Sequence, residues 1–439
     1  AYIWPSLHPK VGAQAVCGRY DDFNNIGYAF GIDETGHLGF IVADGKEFDA
    51  VLSEIPLQRH IWYFIGASYD ASTGRATLHQ VGVVNRYNSL WGKVTPMDYD
   101  SHVSETLRFK PKHAPDISFL VGGTWDFHVN RGKFVNELYS GKVDRPGIVS
   151  RVLSREEFDH ICSGGKPPEN DILAYWDTSA GYTDTGIGDS VTDTGPYGLH
   201  AIGINKPVRA QTGWNWNGRN DCFRLAPEEY GGIEFHDDAI IDCGWDVTHR
   251  LTIPENLKSG VYAIRLRAGD ATGLGEEYLV FFVRATTPRA PIALLIPTAS
   301  YLAYANDHLT FDAQMAQPIV GQTPIVSDID IEVYQSPEFG LSTYDHHQDG
   351  AGVCYSSYRR PIVSLQPKYR NPMNGVTWQF PADLSIVAWL EHCNYDYEVL
   401  TDEDLHTEGV DAISPYKCVI TGTHPEYYSE TMLDATEDF

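Results

Sequence analysis

The sequence lacks several features that would assign a protein to a class at once. No apolar run comes near the ~20 residues that a membrane-spanning helix needs, so no membrane segment is expected. Basic residues are scarce, with 32 lysines and arginines against 59 aspartates and glutamates and a formal net charge of −27. Because phosphate groups would be repelled by that charge, the sequence argues against nucleic acid or an anionic membrane as a partner.

The common nucleophile and metal motifs are absent as well. There is no Walker loop, no H-E-x-x-H zinc motif, and no G-x-S-x-G elbow around Ser300. The G-x-C-x-G turn of a glutamine-amidotransferase nucleophile is missing, because no cysteine follows Gly422. Cys354 lies near His346 and His347 in the sequence, but no other feature supports a thiol mechanism. Any active site in this chain is therefore expected to use chemistry other than that of these phosphate-binding, zinc and nucleophile motifs.

Cysteine is infrequent, and its spacing shows no paired motif. The seven cysteines are odd in number and scattered, and no C-x-x-C pair occurs. Cys393 and Cys418 lie inside apolar runs and are predicted to be reduced thiols of the core. Reduced thiols indicate a reducing compartment, so we expect a cytoplasmic protein. The chain opens at Ala1 without a methionine and stops at Phe439 just inside a predicted helix, so we expect further residues at both ends.

The residues that are present suffice for several folded cores. The 439 residues are too many for one core, and 42% of them are apolar. Residues 1–165 form short β-rich runs between turn signals, which predicts an antiparallel sandwich. Residues 166–290 contain a second β-rich series, ending in two strands joined by a glycine-rich turn, which predicts an immunoglobulin-like sandwich. After the proline-containing linker at 286–291, residues 291–439 have the pattern of an open α/β domain.

The elements of this α/β domain can be assigned from the spacing of its apolar residues. The run IALLIPT, at 292–298, is continuously apolar and predicts a strand buried on both faces. Residues 383–395 have the spacing of an amphipathic helix, and 397–401 and 417–422 predict two further strands. A last helix is predicted to start near Pro425, since proline suits the first helical turn.

Polar side chains follow two of these predicted strands. Tyr301 and Tyr304 come after the first strand, and His424 and Glu426 come after the last. Between them in the sequence lies a glycine-containing loop, 341–361, rich in tyrosine and histidine. In open α/β sheets ligands bind beyond the carboxyl ends of the strands. The sequence therefore predicts a polar site at this edge of the sheet.

Each of these signals also has an ordinary structural interpretation. Thr423 or His424 could cap a helix, with Pro425 in its first turn and Glu426 favoured by the helix dipole. Tyr304 could belong to the core, with its hydroxyl bonded at the sheet edge. The histidines and aspartates of the loop could simply be solvated.

Four segments of the α/β domain, taken together, resemble one enzyme family, the large subunit of N,N-dimethylformamidase. They occur in that family's order and read IPTASYLAYAN, LSTYDHHQDGAGVCYSSYRRPI, WLEHCNYDYEVLTDEDLHTEG and VITGTHPEYYSETMLDA. Three earlier segments resemble the family's middle region: WDTS, GIEFHDDAIIDCGW and SGVYAIRLRA. The segment HIWYFIGASYDASTGRATLHQVG resembles the central hairpin of laminin-G-like, concanavalin-A-type jelly rolls, and the family has such a lectin-like domain.

The expected fold is therefore multidomain. We expect a concanavalin-A/laminin-G-like β jelly roll in 1–165, an immunoglobulin-like β sandwich in 166–290, and an α/β domain in 291–439. The last would be an open sheet of the glutamine-amidotransferase-like kind, truncated at its C-terminal end.

The resemblance also implies a site and partners. In the family a mononuclear iron is held by two tyrosines and one glutamate, with a histidine nearby. On this sequence Glu426 and His424 match the His-Pro-Glu signature, and Tyr304 matches the tyrosine of YLAYAN. The second tyrosine belongs to the YDHHQDG loop, with Tyr344 as the best match and Tyr355 as the alternative. A small second subunit, association of large subunits with each other, and a small neutral amide as substrate are implied too.

The donor types agree with a hard trivalent ion. Two phenolates and one carboxylate offer only oxygen and carry three negative charges, which suits Fe³⁺ better than zinc. Three protein ligands leave a position open for water, and His424 could move a proton to or from the reacting groups. The reaction that the resemblance implies is hydrolysis of N,N-dimethylformamide to dimethylamine and formate.

A protein of another class is the alternative. The β domains would then bind glycan, and the α/β domain would be an inert scaffold without iron. Such a protein would be colourless, whereas ferric phenolate absorbs visible light.

Overall fold

The computed structural model describes residues 1–7, 12–85, 99–128, 132–183, 186–269, 275–312, 318 and 320–439. The chain forms two compact units, Ala1–Asp237 and Asp238–Phe439. Within the described residues, no helix combines the length and the apolar character needed to cross a membrane.

The first unit is built mainly of β-strands. Its described strands are, in chain order, β1 Tyr2–Pro5, β2 Gln14–Asp21, β3 Ile26–Ile32, β4 Leu38–Asp44, β5 Phe48–Leu52, β6 Tyr63–Asp70, β7 Arg75–Gly82, β8 Ser101–Thr106, β9 Leu120–Val121, β10 Thr124–His128, β11 Gly132–Asn136, β12 Gly141–Asp144, β13 Gly147–Val149, β14 Ile172–Asp177, β15 Ser190–Asp193, β16 Ala201–Ile202, β17 Val208–Gln211 and β18 Gly232–Phe235. Helix α1 spans Arg155–Cys162, and single helical turns lie at Glu169–Asp171 and Pro227–Glu229.

Two seven-stranded sheets of this unit pack face to face. One has the strand order β17-β18-β12-β1-β6-β7-β8, and the other has β11-β10-β2-β3-β4-β5 with β9 paired to β2. The core between them takes buried side chains from both sheets, such as Ile3 and Ile65 from one and Val16 and Leu38 from the other. A further sheet has the order β13-β14-β15-β16. The short β-rich runs between turn signals predict a β-rich unit, and this prediction is confirmed.

Helix α1 shows how local sequence sets an element. Ser154 accepts a hydrogen bond from the Glu157 amide, and the Glu157 side chain returns one to the Ser154 amide, which closes a capping box. Phe158 is the buried residue of the helix and packs on Phe64 of β6. The capping box and this one buried aromatic residue define the start and the packed face of α1.

The second unit contains the parallel sheet. Its described strands are β19 Gly260–Ala268, β20 Gly275–Val283, β21 Ile292–Ile296, β22 Tyr397–Thr401 and β23 Cys418–Thr421. Its described helices are α2 Thr298–Ala303, α3 Leu309–Asp312, α4 Asp328–Gln335, α5 Phe380–His392, α6 Asp402–Glu408 and α7 Glu430–Asp438. Single helical turns lie at Pro337–Phe339, Val363–Leu365 and Gly409–Ala412.

Strand β21 is the centre of this sheet, with β22 and β23 parallel on either side. Because side chains alternate across a strand, Ala293 and Leu295 pack with residues of α6 and α7, whereas Leu294 and Ile296 pack with residues of α5 on the other face. Both faces of β21 are thus covered, as its continuous apolar run predicts. The C-terminal parallel α/β region is confirmed.

The hairpin β19–β20 belongs to this second unit. Its strands pair from Gly260 with Val283 to Ala268 with Gly275, and Val261 and Phe282 pack against the cluster that contains Leu294. Residues 270–274 of the predicted glycine-rich turn lie outside the described residues. The division into 1–165, 166–290 and 291–439 stays a prediction, and the observed units divide at 237/238.

Two local predictions are wrong. The last helix starts at Glu430 and not near Pro425, because Ser429 is its cap and its Oγ accepts the Met432 amide at 3.3 Å. Cys393 and Cys418 are exposed, since Cys393 ends α5 and Cys418 lies on the edge strand β23. All seven thiols are free, as expected from their spacing.

Candidate metal centre

The candidate site lies at the carboxyl ends of β21 and β23. Tyr304 follows α2 directly, six residues after the helix begins at Thr298. Glu426 lies in the irregular segment that follows β23 at Thr421. Tyr344 comes from the loop between α4 and α5. Parallel strands end at the same edge of a sheet, so residues far apart in sequence can meet there.

The Glu426 carboxylate is the centre of this group. The Tyr304 hydroxyl donates to Glu426 Oε2 at 2.7 Å, and the Tyr344 hydroxyl lies 3.4 Å from each carboxylate oxygen. His424 Nε2 is 2.9 Å from Glu426 Oε2. Tyr427 joins the group through its hydroxyl, which lies 2.6 Å from that of Tyr344. The four residues predicted from the sequence, Tyr304, Tyr344, His424 and Glu426, are therefore together.

Aromatic rings form one wall of the site. The rings of Tyr304 and Tyr344 stack with centroids 4.2 Å apart and planes inclined by 16°. Trp378 stands perpendicular to Tyr304 at 5.9 Å and lies 4.8 Å from the His424 ring. This contact area is apolar and suits small methyl groups better than charged ones.

The Tyr344 loop is held by a buried carboxylate next to that tyrosine. Asp345 is 4% exposed and accepts the backbone amides of Ser342 and His308, each at 2.8 Å. The Tyr344 amide donates to Ser342 Oγ at 3.0 Å, and the Thr343 amide donates to the Ala303 carbonyl at 3.1 Å. These bonds connect the loop to the residues that flank Tyr304, which explains why the two phenols stack.

Tyr304 and Glu426 shift each other's pKa. Burial, together with hydrogen bonds to Tyr344 and Glu426, raises the pKa of Tyr304 above its ordinary value. The hydrogen bond from Tyr304, assisted by His424, lowers the pKa of Glu426 although its side chain is 42% exposed. At neutral pH the pair is therefore a neutral phenol donating to a carboxylate.

The spacing of the oxygens can be compared with the spacing around a single cation. For metal–oxygen bonds of about 2.1 Å, oxygens bound to one ion at angles between 90° and tetrahedral lie about 3.0 to 3.4 Å apart. The Tyr344 oxygen, at 3.4 Å from the carboxylate, lies within that range, whereas the Tyr304 oxygen is at a hydrogen-bond distance of 2.7 Å, below it. The donor set is oxygen only and carries up to three negative charges, so it suits a hard ion.

Tyr355, the alternative second tyrosine, is 43% exposed, and the hydrogen bonds described for Glu426 go to other residues. The choice of Tyr344 stays a prediction that its position at Glu426 supports.

That Trp378 and Tyr427 belong to the site was not predicted from the sequence. Tyr427 is adjacent to Glu426, which was an available signal, whereas nothing in the local sequence around Trp378 indicates its contact with His424.

The second unit contains another pair of side chains of the types that bind metals. His347 Nδ1 lies 2.6 Å from Asp238 Oδ1, and both residues are almost fully buried at their side chains. His236, two residues before Asp238 in the sequence, is a third candidate ligand by its type.

Fold and site together define a multidomain, β-rich protein whose C-terminal parallel α/β unit gathers phenol and carboxylate oxygens at its strand ends. Comparison with protein families then identifies it further. A family model described as "N,N-dimethylformamidase beta subunit-like, C-terminal" matches residues 208–439, more than half of the chain. The chain belongs to this family, so the resemblance found in its sequence is confirmed.

Two curated relatives match over the whole chain. The N,N-dimethylformamidase beta subunit of Paracoccus aminophilus is 39% identical over 446 residues, and that of Alcaligenes sp is 38% identical over 444 residues. The chain spans 57% of the length of each.

Two solved structures show weaker similarity. A protein from Bacteroides ovatus described as carbohydrate binding aligns with 44% of this chain and 48% of its own, at 14% identity and a TM-score of 0.31. The heptameric SAP-like pentraxin of Limulus polyphemus aligns with 38% of this chain and 70% of its own, at 15% identity and a TM-score of 0.24.

Proposed function

We propose that the second unit binds a mononuclear ferric ion through Tyr304, Tyr344 and Glu426, and that N,N-dimethylformamide is hydrolysed there to dimethylamine and formate. The observation that carries the proposal is the convergence of two phenolic oxygens on one carboxylate in a chain that belongs to this family. When bound, the ion would act as a Lewis acid on the amide carbonyl and lower the pKa of water.

The chain's own residues have separate tasks in this reaction. The water oxygen bonds to the formyl carbon, the carbon–nitrogen bond breaks, and the proton lost by water ends on the amine. His424 would carry that proton, because its Nε2 lies at the carboxylate oxygen that also accepts from Tyr304. Trp378 and the stacked phenol rings would receive the two methyl groups, since a tertiary formamide offers no N–H for recognition.

The proposal also covers the protein's subunit partners and its location in the cell. The relatives are called beta subunits, and we propose that this chain also pairs with a small second subunit and that large subunits associate with each other. A cytoplasmic location agrees with seven free thiols.

The proposal is tested by metal analysis and absorption spectroscopy of the chain purified after growth with iron. We expect about one iron per chain and a visible ferric-phenolate band, both lost in Glu426→Ala. Tyr344→Phe should weaken and shift the band and Tyr355→Phe should leave it unchanged, which separates the two candidate tyrosines. Hydrolysis of N,N-dimethylformamide is then assayed with the small subunit co-produced.

A colourless, iron-free protein with the Glu426→Ala variant indistinguishable from it would contradict the proposal. That result is the one the glycan-binding alternative predicts.

A further inference from the structure

The segment that carries His424 and Glu426 has no regular structure of its own. Residues 422–429 lie between β23 and α7 without helical or strand pairing. The Glu426 side chain is also 42% exposed. A carboxylate on an irregular, exposed segment would sample many orientations unless other parts of the chain fix its backbone. Two buried side chains, Ser300 and Asp383, contact this backbone.

Ser300 holds the Glu426 end of the segment. It is fully buried in α2, and its Oγ accepts the Glu426 amide at 3.0 Å. The carbonyl oxygen of the same residue accepts the Tyr304 amide at 3.1 Å. One buried serine therefore connects the backbones of both oxygen donors, which are 122 positions apart in the chain.

Asp383 holds the other end. It is 1% exposed in the first turn of α5, and its Oδ1 accepts the Thr423 amide at 2.5 Å. Its second oxygen accepts the hydroxyl of Tyr301, which is buried in α2 next to Ser300. The two bonds are made at Thr423 and Glu426, on either side of His424 and Pro425. Their acceptors belong to α2 and α5, two helices that pack against β21.

We propose that Ser300 and Asp383 are positioning residues that clamp Thr423–Glu426 and so preorganise the metal-binding carboxylate; this inference rests on the proposed iron site. The side chains of Ser300 and Asp383 accept their hydrogen bonds from backbone amides of this segment: that of Glu426 for Ser300 and that of Thr423 for Asp383. Ser300 also accepts the Tyr304 amide through its carbonyl oxygen. For comparison, outer-shell residues that hydrogen-bond to the ligating groups themselves typically change metal affinity by about 10- to 100-fold when replaced.

The test compares two serine-to-alanine variants that remove the same kind of bond. Ser300→Ala removes the acceptor of the Glu426 amide, and Ser259→Ala removes the acceptor of the Val399 amide on β22, a bond of 2.8 Å made by a serine that is 8% exposed. Both should lower the melting temperature by similar amounts. Only Ser300→Ala should weaken iron binding, by about 10-fold, and shift the ferric-phenolate band.

Hydrogen exchange of the iron-free proteins gives a second readout. Peptides covering 422–429 should exchange faster in Ser300→Ala and at the wild-type rate in Ser259→Ala. Equal iron affinity and equal exchange in Ser300→Ala and the wild-type chain would overturn the clamp, and so would an equal loss of iron in both variants. A wild-type chain that binds no iron refutes the proposed function, while the exchange data still decide whether the segment is clamped.

Discussion

Gly422 offers a direct way to displace the candidate ligand. It is the first residue after β23, and its amide donates to the Leu295 carbonyl of the central strand at 3.2 Å. A Cβ added at this position would lie 2.5 Å from Pro297 Cδ and nearer still to the Asp383 carboxylate. Ordinary contacts begin at 3.4 Å, so Gly422→Ala requires a shift of about 1 Å.

That shift falls on the segment that carries Glu426. Pro297 is rigid and Asp383 is buried, so we expect the chain after β23 to move and Glu426 to be displaced relative to Tyr304. We expect iron affinity to fall about 10- to 100-fold, as for other residues that orient metal ligands. Strain from overpacking should also cost about 1–3 kcal/mol of unfolding free energy. Titration of the apo protein with ferric ion, followed at the phenolate band, measures the affinity.

Gly352→Ala is the matched control. A Cβ at Gly352 would meet nothing within 4 Å, and this glycine lies in the loop that carries Tyr344. The control should bind iron as the wild-type chain does. Wild-type affinity and an unchanged spectrum in Gly422→Ala would refute the reasoning, because the site would then tolerate displacement of its own backbone.

Two further predictions concern stability. Asp402 is buried with its carboxylate accepting the Ala299 amide at 3.0 Å, and burial raises its pKa from 3.8 to about 7. Between pH 3.8 and about 7, Asp402 stays protonated in the folded chain but is ionised in the unfolded chain. The free energy of unfolding therefore falls as pH rises through this range, by up to about 4 kcal/mol. Asp402→Asn stays neutral, so its urea-unfolding free energy should match the wild type near pH 4 and exceed it at pH 8; a difference independent of pH would contradict the assignment. Leu294→Ala should cost about 2–5 kcal/mol, because this side chain is fully buried in the central strand, whereas Leu433→Ala, at 51% exposure, should cost less than about 0.5 kcal/mol in the same assay.

The parallel sheet could be predicted from the sequence because its signals are local. The continuous apolar run of β21 and the helical spacing of α5 each depend on residues within a few positions of one another. The family resemblance added the candidate ligands, and the structure brings Tyr304, Tyr344 and Glu426 within hydrogen-bonding distance.

Other features depend on contacts that local sequence does not encode. Pro425 suits a helix start, yet α7 begins at Glu430, because the preceding segment bonds to Ser300 and Asp383 from distant helices. Cys418 lies in an apolar run but on an edge strand, so its position in the sheet and not its neighbours in sequence decides its exposure. The approach of Trp378 to His424 is likewise set by tertiary packing.

For the proposed iron site, the long chain separation between Tyr304 and Glu426 would link iron supply to folding. Their oxygens can meet only after β21 and β23 have paired, so an unfolded chain offers no comparable ligand set. By mass action, an ion bound only by the folded state stabilises it by about 2.7 kcal/mol at a free concentration 100 times the dissociation constant. Iron limitation would then reduce the amount of intact protein as well as the fraction of it that is loaded.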